Sequence, residues 1–242
     1  SAGKFSIENF EGVNVETYGL QNGAIHSNGV SVHNGSFNFD YQRGVKLIRG
    51  VKLLLPGFHN AENSIAAISV ALDLNVKEEA IKTAIENFKG VKRRFEYIIN
   101  SDNLVFIDDY AHHPEEIRAL LNSVNALFPN KKITVIFQPH LFTRTRDFAE
   151  EFSESLSLAN EVLLLEIYPA RELPIDGVYS GMLLEKITTD QKLVCSKEEL
   201  IDNLLNRDLE VVLTVGARFQ HIETIEVLHC GVGSIGNHRI CQ

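Results

Sequence analysis

Asp108-Asp109-Tyr110-Ala111-His112-His113-Pro114 is the stretch on which the reading of this chain turns. Ahead of it runs Leu104-Val105-Phe106-Ile107, unbroken apolar sequence in the manner of a strand buried on both faces. Behind it, Pro114 suits a first helical position and Glu115 and Glu116 suit a first turn. Ile117, Leu120, Leu121, Val124 and Phe128 then recur at helical spacing, which predicts a helix over 114–128. Two carboxylates, a phenol and two imidazoles therefore gather at the carboxyl end of a strand, the edge at which open α/β sheets place their ligands.

Downstream the same alternation repeats. Strands are expected at 104–107, 133–137, 162–167, 192–195 and 210–215, and helices at 114–128, 146–156, 180–187 and 197–205. Alternation of this kind means an α/β fold, a mostly parallel sheet with helices on both sides. Two more polar loops follow strands: Gln138-Pro139-His140-Leu141-Phe142-Thr143-Arg144-Thr145-Arg146-Asp147 and Glu166-Ile167-Tyr168-Pro169-Ala170-Arg171-Glu172. In a parallel sheet all three loops open on one edge. Arg144 and Arg146 offer planar forks that match a carboxylate or phosphate.

Upstream, residues to about Leu55 lack helical periodicity. Asn28-Gly29 and Asn34-Gly35 sit between alternating runs, which predicts hairpins of antiparallel strands at the edge of a larger sheet. A small-residue helix opens near Pro56-Gly57-Phe58-His59-Asn60-Ala61-Glu62-Asn63 and runs to about Leu72, with Ile65, Ile68 and Leu72 inward. A second helix carries Ile81, Ala84, Ile85 and Phe88, with Asn75 and Glu78 spaced as a capping pair. The two are expected to pack as an antiparallel pair. Lys89–Glu96, with Gly90 able to end a helix and Lys92, Arg93 and Arg94 in a charged run, reads as the domain boundary.

The chain of 242 residues carries a net charge of −9 and a pI near 5.5, which argues against a nucleic-acid or anionic-membrane partner. Its longest apolar runs, such as Val162–Leu165, are too short to cross a bilayer. Cys195, Cys230 and Cys241 form neither a disulfide framework nor a CxxC pattern, so the expected compartment is cytoplasmic. The start at Ser1 with no signal peptide suggests a trimmed or excised piece. The tail from Arg218 is rich in His and Cys but has no period. Gly231-Val232-Gly233-Ser234-Ile235-Gly236 fits GxGxxG, yet only six residues follow it, leaving no helix to hold a pyrophosphate. Gly3-Lys4 is not a P-loop, and no GxSxG elbow is present.

Each candidate also has a plain structural reading. His112-His113 can be a strand-end pair held by backbone hydrogen bonds, and Arg144 and Arg146 can pair with Asp147 or Glu150 at the surface. His59 can be a loop histidine, and Asn60 and Asn63 can cap a helix. A zinc site at His112-His113 lacks a third ligand at short helical spacing.

Taken together, Gly57–Asn63, Gly90-Val91-Lys92-Arg93-Arg94-Phe95-Glu96, the Asp108–Pro114 turn, Phe137–Asp147 and Leu165–Glu172 resemble the Mur ligase family. The QPHxxTRTRD segment points to its alanine-adding branch rather than the branch that recycles murein tripeptide. The resemblance implies the end of a central ATPase domain over 1–90, with antiparallel strands and two helices. A Rossmann-like C-terminal domain would follow over 91–217, then an atypical tail over 218–242. The family's P-loop and uridine-sugar domain have no counterpart here. The implied activity is ATP- and Mg2+-dependent ligation of L-alanine to UDP-N-acetylmuramate through an acyl phosphate, a step of peptidoglycan precursor synthesis for which this portion alone is inactive. By resemblance His59 and Asn63 contact adenine, Asp109 the ribose and Arg94 the phosphates. Tyr110 and His112 face the incoming alanine, and His140 and Arg144 hold its carboxylate. Leu141 stands where some relatives carry a basic residue, which places more of the clamp on Arg144. A murein-peptide recycling ligase, a non-catalytic nucleotide- or peptide-binding module and a metal-dependent hydrolase using His112 and His113 remain as other readings.

Overall fold

The computed structural model describes residues 15–33 and 36–216. Asn34-Gly35, Gly3-Lys4, the tail from Arg218, its GxGxxG match and its His and Cys residues lie outside them. The chain divides into two compact units, Ser1–Lys89 and Gly90–Gln242.

The first unit holds a sheet of order β1-β2-β3-β4, built from Tyr18–Gly19, Ile25–His33, Ser36–Arg43 and Lys46–Leu53. β2, β3 and β4 pair antiparallel, and β1 lies parallel to β2. Alternation decides which face is buried: Phe37, Phe39 and Tyr41 of β3 point inward with Ile48, Val51 and Leu53 of β4. Ile65 and Ile68 of helix α1 (Phe58–Asp73) are fully buried. The Tyr41 and Ser69 hydroxyls lie 3.0 Å apart, joining β3 to α1. Helix α2 (Glu78–Glu86) buries Ile81.

Two details differ from expectation. Asn28-Gly29 is no turn; it lies within β2 at a bulge, where the register slips between Ser27 and Val30 and Gly29 takes φ 101°. His33 does pair with Ser36 across the second Asn-Gly. Asn75 does not cap α2 either. It sits at φ 59°, a conformation asparagine tolerates, and its N–H bonds to Leu72 at the end of α1, so the N-cap of α2 is Lys77. Phe88 lies beyond α2 and is half exposed.

Among the described residues, the second unit holds a six-stranded sheet of order β5-β6-β10-β7-β8-β9. The strands are Glu96–Asn100, Val105–Asp109, Ile133–Phe137, Glu161–Leu165, Gln191–Cys195 and Val211–Val215, numbered β5 to β10 along the chain. β5 runs antiparallel to β6, and every other pairing is parallel. Helices α3 (Pro114–Leu127), α4 (Phe142–Asp147), α5 (Ala149–Leu156), α6 (Gly181–Leu184) and α7 (Lys197–Leu205) make the connections. The four inner strands are buried at every position, as an unbroken apolar run demands. Val105, Ile107, Val135 and Leu213 pack with Ile117, Leu121 and Val124 of α3 and Phe152 of α5. On the opposite face Phe106, Ile136, Leu163 and Val212 pack with Leu200 and Leu204 of α7. Helices thus cover both faces, the expected α/β architecture.

Two local expectations change. The boundary expected over Lys89–Glu96 gives way at Glu96 to an edge strand, β5. The helix expected over 146–156 begins earlier and breaks at Phe148, whose φ of −117° and ψ of 26° separate α4 from α5. At the amino edge of the sheet, Glu161 is buried and ion-paired to Lys132 at 2.9 Å and Arg207 at 2.7 Å, with the Thr134 hydroxyl donating at 3.0 Å.

Candidate functional site

Parallel register brings the carboxyl ends of β6, β10, β7 and β8 to one edge, and the polar loops leave from there. The first begins with two buried carboxylates doing different work. Asp108, 1% exposed, accepts from Arg93 Nε at 3.0 Å and from the Thr214 hydroxyl at 3.0 Å. Asp109 turns inward, and its two oxygens accept from the backbone N–H groups of Phe95 (2.7 Å) and Ala111 (2.8 Å). Burial raises its carboxyl to about 6, although those two N–H donors pull the other way. Asp109 therefore shapes the turn that carries the next residues.

Those residues are more open. Tyr110 is 42% exposed, and its ring meets His112 edge-on with centroids 5.0 Å apart. His112 Nδ1 lies 3.1 Å from the Tyr110 carbonyl oxygen and 3.4 Å from the Glu116 carboxylate. Glu116 also accepts from the backbone N–H groups of His112 and His113, closing the start of α3. A hydrogen bond from Nδ1–H to the Tyr110 carbonyl leaves the lone pair of His112 on Nε2.

The second loop lies beside the first. The His113 ring packs edge-on against Phe148, centroids 4.9 Å apart, and Phe148 directly follows α4, the helix that bears Arg144. The Ser155 hydroxyl, from the helix after Phe148, donates to the Pro114 carbonyl at 3.0 Å. Arg144 is half-buried, and its Nη1 is inaccessible to solvent and makes no hydrogen bond among the described residues. Gln138 Oε1 is in the same condition, although its Nε2 donates to the Glu166 carbonyl at 3.1 Å. Arg146 is instead a surface residue paired with Asp147.

The third loop is laced to the second. His140 and Tyr168 form a parallel bridge with rings stacked at 5.6 Å. Leu141 N–H donates to the Tyr168 carbonyl and Tyr168 N–H to that of Pro139. Glu172 accepts from the Thr143 N–H at 2.9 Å and from its hydroxyl.

Arg93 escaped the sequence reading as anything but part of a charged run. Its guanidinium bonds to Asp108 at the end of β6 and to the Gly216 carbonyl (2.7 Å) after β10, and lies 5.3 Å from the Tyr110 ring centroid. Its own carbonyl accepts the Tyr110 N–H at 2.7 Å. Arg93 takes a left-handed φ of 59°, which nothing in the sequence marks. The neighbouring Arg94 is exposed.

The remaining candidates belong to the first unit. His59 and Asn63 lie one turn apart at the start of α1, His59 half-buried and Asn63 exposed. Gly57 takes φ 117°, and a Cβ there would come 2.8 Å from the His59 ring, so glycine is what makes room for the imidazole. Among the described residues no group of three His, Cys, Asp or Glu side chains could hold a metal ion, and no helix is long and apolar enough to cross a membrane.

Residues 93–218 match the family model described as Mur ligase, glutamate ligase domain. The chain is 44% identical over 216 residues to a UDP-N-acetylmuramate–L-alanine ligase of Christiangramia forsetii, covering 89% of this chain and 48% of that one. It is 47% identical over 188 residues to the protein of the same name in Flavobacterium psychrophilum, covering 78% and 42%. Among solved structures it resembles UDP-N-acetylmuramate-alanine ligase MurC of Thermotoga maritima, with a TM-score of 0.75 at 29% identity, over 90% of this chain and 48% of that one. The chain spans about half the length of the curated relatives it matches. A family model that runs from Arg93 through β10, taking in all three loops at the carboxyl edge, leads to one assignment: the chain belongs to the Mur ligase family.

Proposed function

We propose that this chain is the amino-acid-receiving portion of a UDP-N-acetylmuramate–L-alanine ligase, acting in the cytoplasm on small molecules in peptidoglycan precursor synthesis. One observation carries the reading. Arg144 keeps a buried guanidinium N–H, without a hydrogen-bond partner among the described residues, on the helix adjoining the Tyr110–His112 loop. Leaving a charged donor desolvated without a partner is costly, and a substrate carboxylate supplies the missing acceptor.

The chemistry follows from the side chains. Arg144, with His140 beside it, grips the alanine carboxylate. Tyr110 and His112 stand over the amine, and His112 Nε2 takes the amine proton as the amine bonds to the activated lactyl carbonyl carbon and inorganic phosphate leaves. Arg93 fixes the Tyr110 ring in place from behind. A side chain as small as that of alanine needs little apolar lining. Mg-ATP, when bound, supplies the phosphoryl group that activates the sugar's lactyl carboxylate. Arg94, exposed, suits the phosphates; His59 over the slot left by Gly57, with Asn63, suits adenine. Asp109 serves the nucleotide site by shaping its loop, since both its oxygens already hold backbone N–H groups. The activity belongs to the complete ligase, and this portion alone is inactive.

The test is Arg144→Ala in the full-length enzyme. Losing a desolvated carboxylate partner costs roughly 2–5 kcal/mol, so the KM for L-alanine should rise roughly 30- to 4,000-fold while the KM for ATP holds. An unchanged alanine KM would defeat the assignment of the site.

A further inference from the structure

We infer that Glu172, from the loop after β8, is a positioning residue that sets α4 and through it aims Arg144 at the substrate carboxylate. This deepens the amino-acid-site reading above and rests on it.

Helix α4 has six residues and no cap of its own. Its N-cap residue is Leu141, which has no side-chain acceptor and sits at a left-handed φ of 73°. A helix this short has little cooperative strength, so its register depends on what holds its ends. The first-turn donors are met from outside the segment. Glu172, 29 residues further on, accepts from both the backbone N–H and the hydroxyl of Thr143. Those contacts, the hydroxyl first, hold the Glu172 carboxyl below its usual range, so the anchor is ionised throughout the neutral region. A carboxylate is also the right charge for the amino end of a helix.

The bond from Glu172 is one of several ties between the two loops. Leu141 N–H to Tyr168, Tyr168 N–H to Pro139 and the His140–Tyr168 stack bind the same pair. What distinguishes Glu172 is its target. The other ties hold the extended segment before the helix, whereas Glu172 seizes the residue next to Arg144 within it. Glu172 is itself held: its N–H donates to the Pro169 carbonyl across a turn in which Ala170 takes φ 51°. Rotation or fraying of α4 would swing the guanidinium while leaving the sheet untouched.

The experiment is steady-state kinetics of the full-length enzyme carrying Glu172→Ala, Glu172→Gln, Arg144→Ala and the double change Glu172→Ala with Arg144→Ala. Misplacing a binding group by about 1 Å can cost up to about 100-fold. Glu172→Ala should raise the alanine KM roughly 10- to 100-fold, with kcat and the ATP KM within about two-fold of wild type. Glu172→Gln, which keeps one oxygen able to accept from Thr143, should recover most of the loss. In the Arg144→Ala background Glu172→Ala should add little, because the group it positions is gone. The two readings fail separately. If Arg144→Ala leaves the alanine KM unmoved, the site assignment falls and this inference with it. If Arg144→Ala raises it but Glu172→Ala does not, or if the two effects multiply, the positioning role alone is overturned. Parallel loss of kcat and ATP affinity in Glu172→Ala would likewise overturn it in favour of a general folding role.

Discussion

Replacing Arg93 with alanine should remove one side chain and loosen three elements at once. The guanidinium pairs with Asp108, which is 1% exposed, while Arg93 itself is 28% exposed. Taking one partner from a buried pair typically costs about 3–5 kcal/mol, because the other charge stays buried without its counterpart. The Thr214 hydroxyl still donates to Asp108, and Arg93 lies partly open to solvent, so the lower end applies: about 3 kcal/mol. The face contact with Tyr110 contributes on the order of 0.5–1 kcal/mol within that figure. For a chain of this size 3 kcal/mol corresponds to a fall in Tm of roughly 6–12 °C. Urea titration followed by circular dichroism should register the loss in wild type against Arg93→Ala. A double-mutant cycle with Asp108→Asn isolates its cause, since neutralising the stranded carboxylate should return about 2 kcal/mol in the Arg93→Ala background. A loss below about 1 kcal/mol, or strictly additive single changes, would refute the claim that this pair holds the loop to the sheet.

Further expectations concern the sheet's two edges. Asp109 binds its proton more tightly folded than unfolded, at about 6 against 3.8, so its contribution is complete below the lower value and is lost as pH rises through the higher. The loss amounts to about 3 kcal/mol. Urea midpoints between pH 4 and 7 should therefore flatten in Asp109→Asn relative to wild type, and parallel curves would contradict this. Glu161 behaves oppositely. Burial tends to raise its carboxyl, but Lys132, Arg207 and Thr134 outweigh that and hold it low. Its contribution is present above the ordinary carboxylate range and disappears as pH falls below it; Glu161→Gln should cost about 2 kcal/mol at pH 7 by thermal melting and much less in acid. Gly216 takes φ 131°, and an added Cβ would lie 3.0 Å from the Gln138 carbonyl oxygen. Gly216→Ala should therefore destabilise by roughly 1–3 kcal/mol, and an unchanged Tm would show that the carbonyl moves aside freely.

The inner strands were legible because a strand buried on both faces must be apolar throughout, and Ile133–Phe137 was read to the residue. Helix α3 was legible for the complementary reason, its Pro114, its acidic first turn and its inner stripe all agreeing. Edge strand β5 was not, because its residues are only half-buried and it follows a charged run that looks like a linker. The break at Phe148 was hidden because an aromatic residue fits a helical stripe; at the break its ring packs against His113, a contact from another loop. The convergence of the polar loops on one edge followed from alternation alone. The division of labour between adjacent residues did not. Asp109 differs from Asp108, and Arg93 from Arg94, through partners far away in sequence: Phe95, Thr214 and Gly216.

The last described strand of the second unit is not at the margin of its sheet. β10 lies between β6 and β7, joined to both, although it is made more than seventy residues after either. Until residues 211–215 leave the ribosome, β6 and β7 have no common neighbour, and a slot of strand width separates the halves of the nascent sheet. The sheet of this half thus closes only once that strand is available. Shortening the chain to a point before Val211 should not trim an appendage; it should yield an insoluble product, with two open strand edges exposed to aggregation.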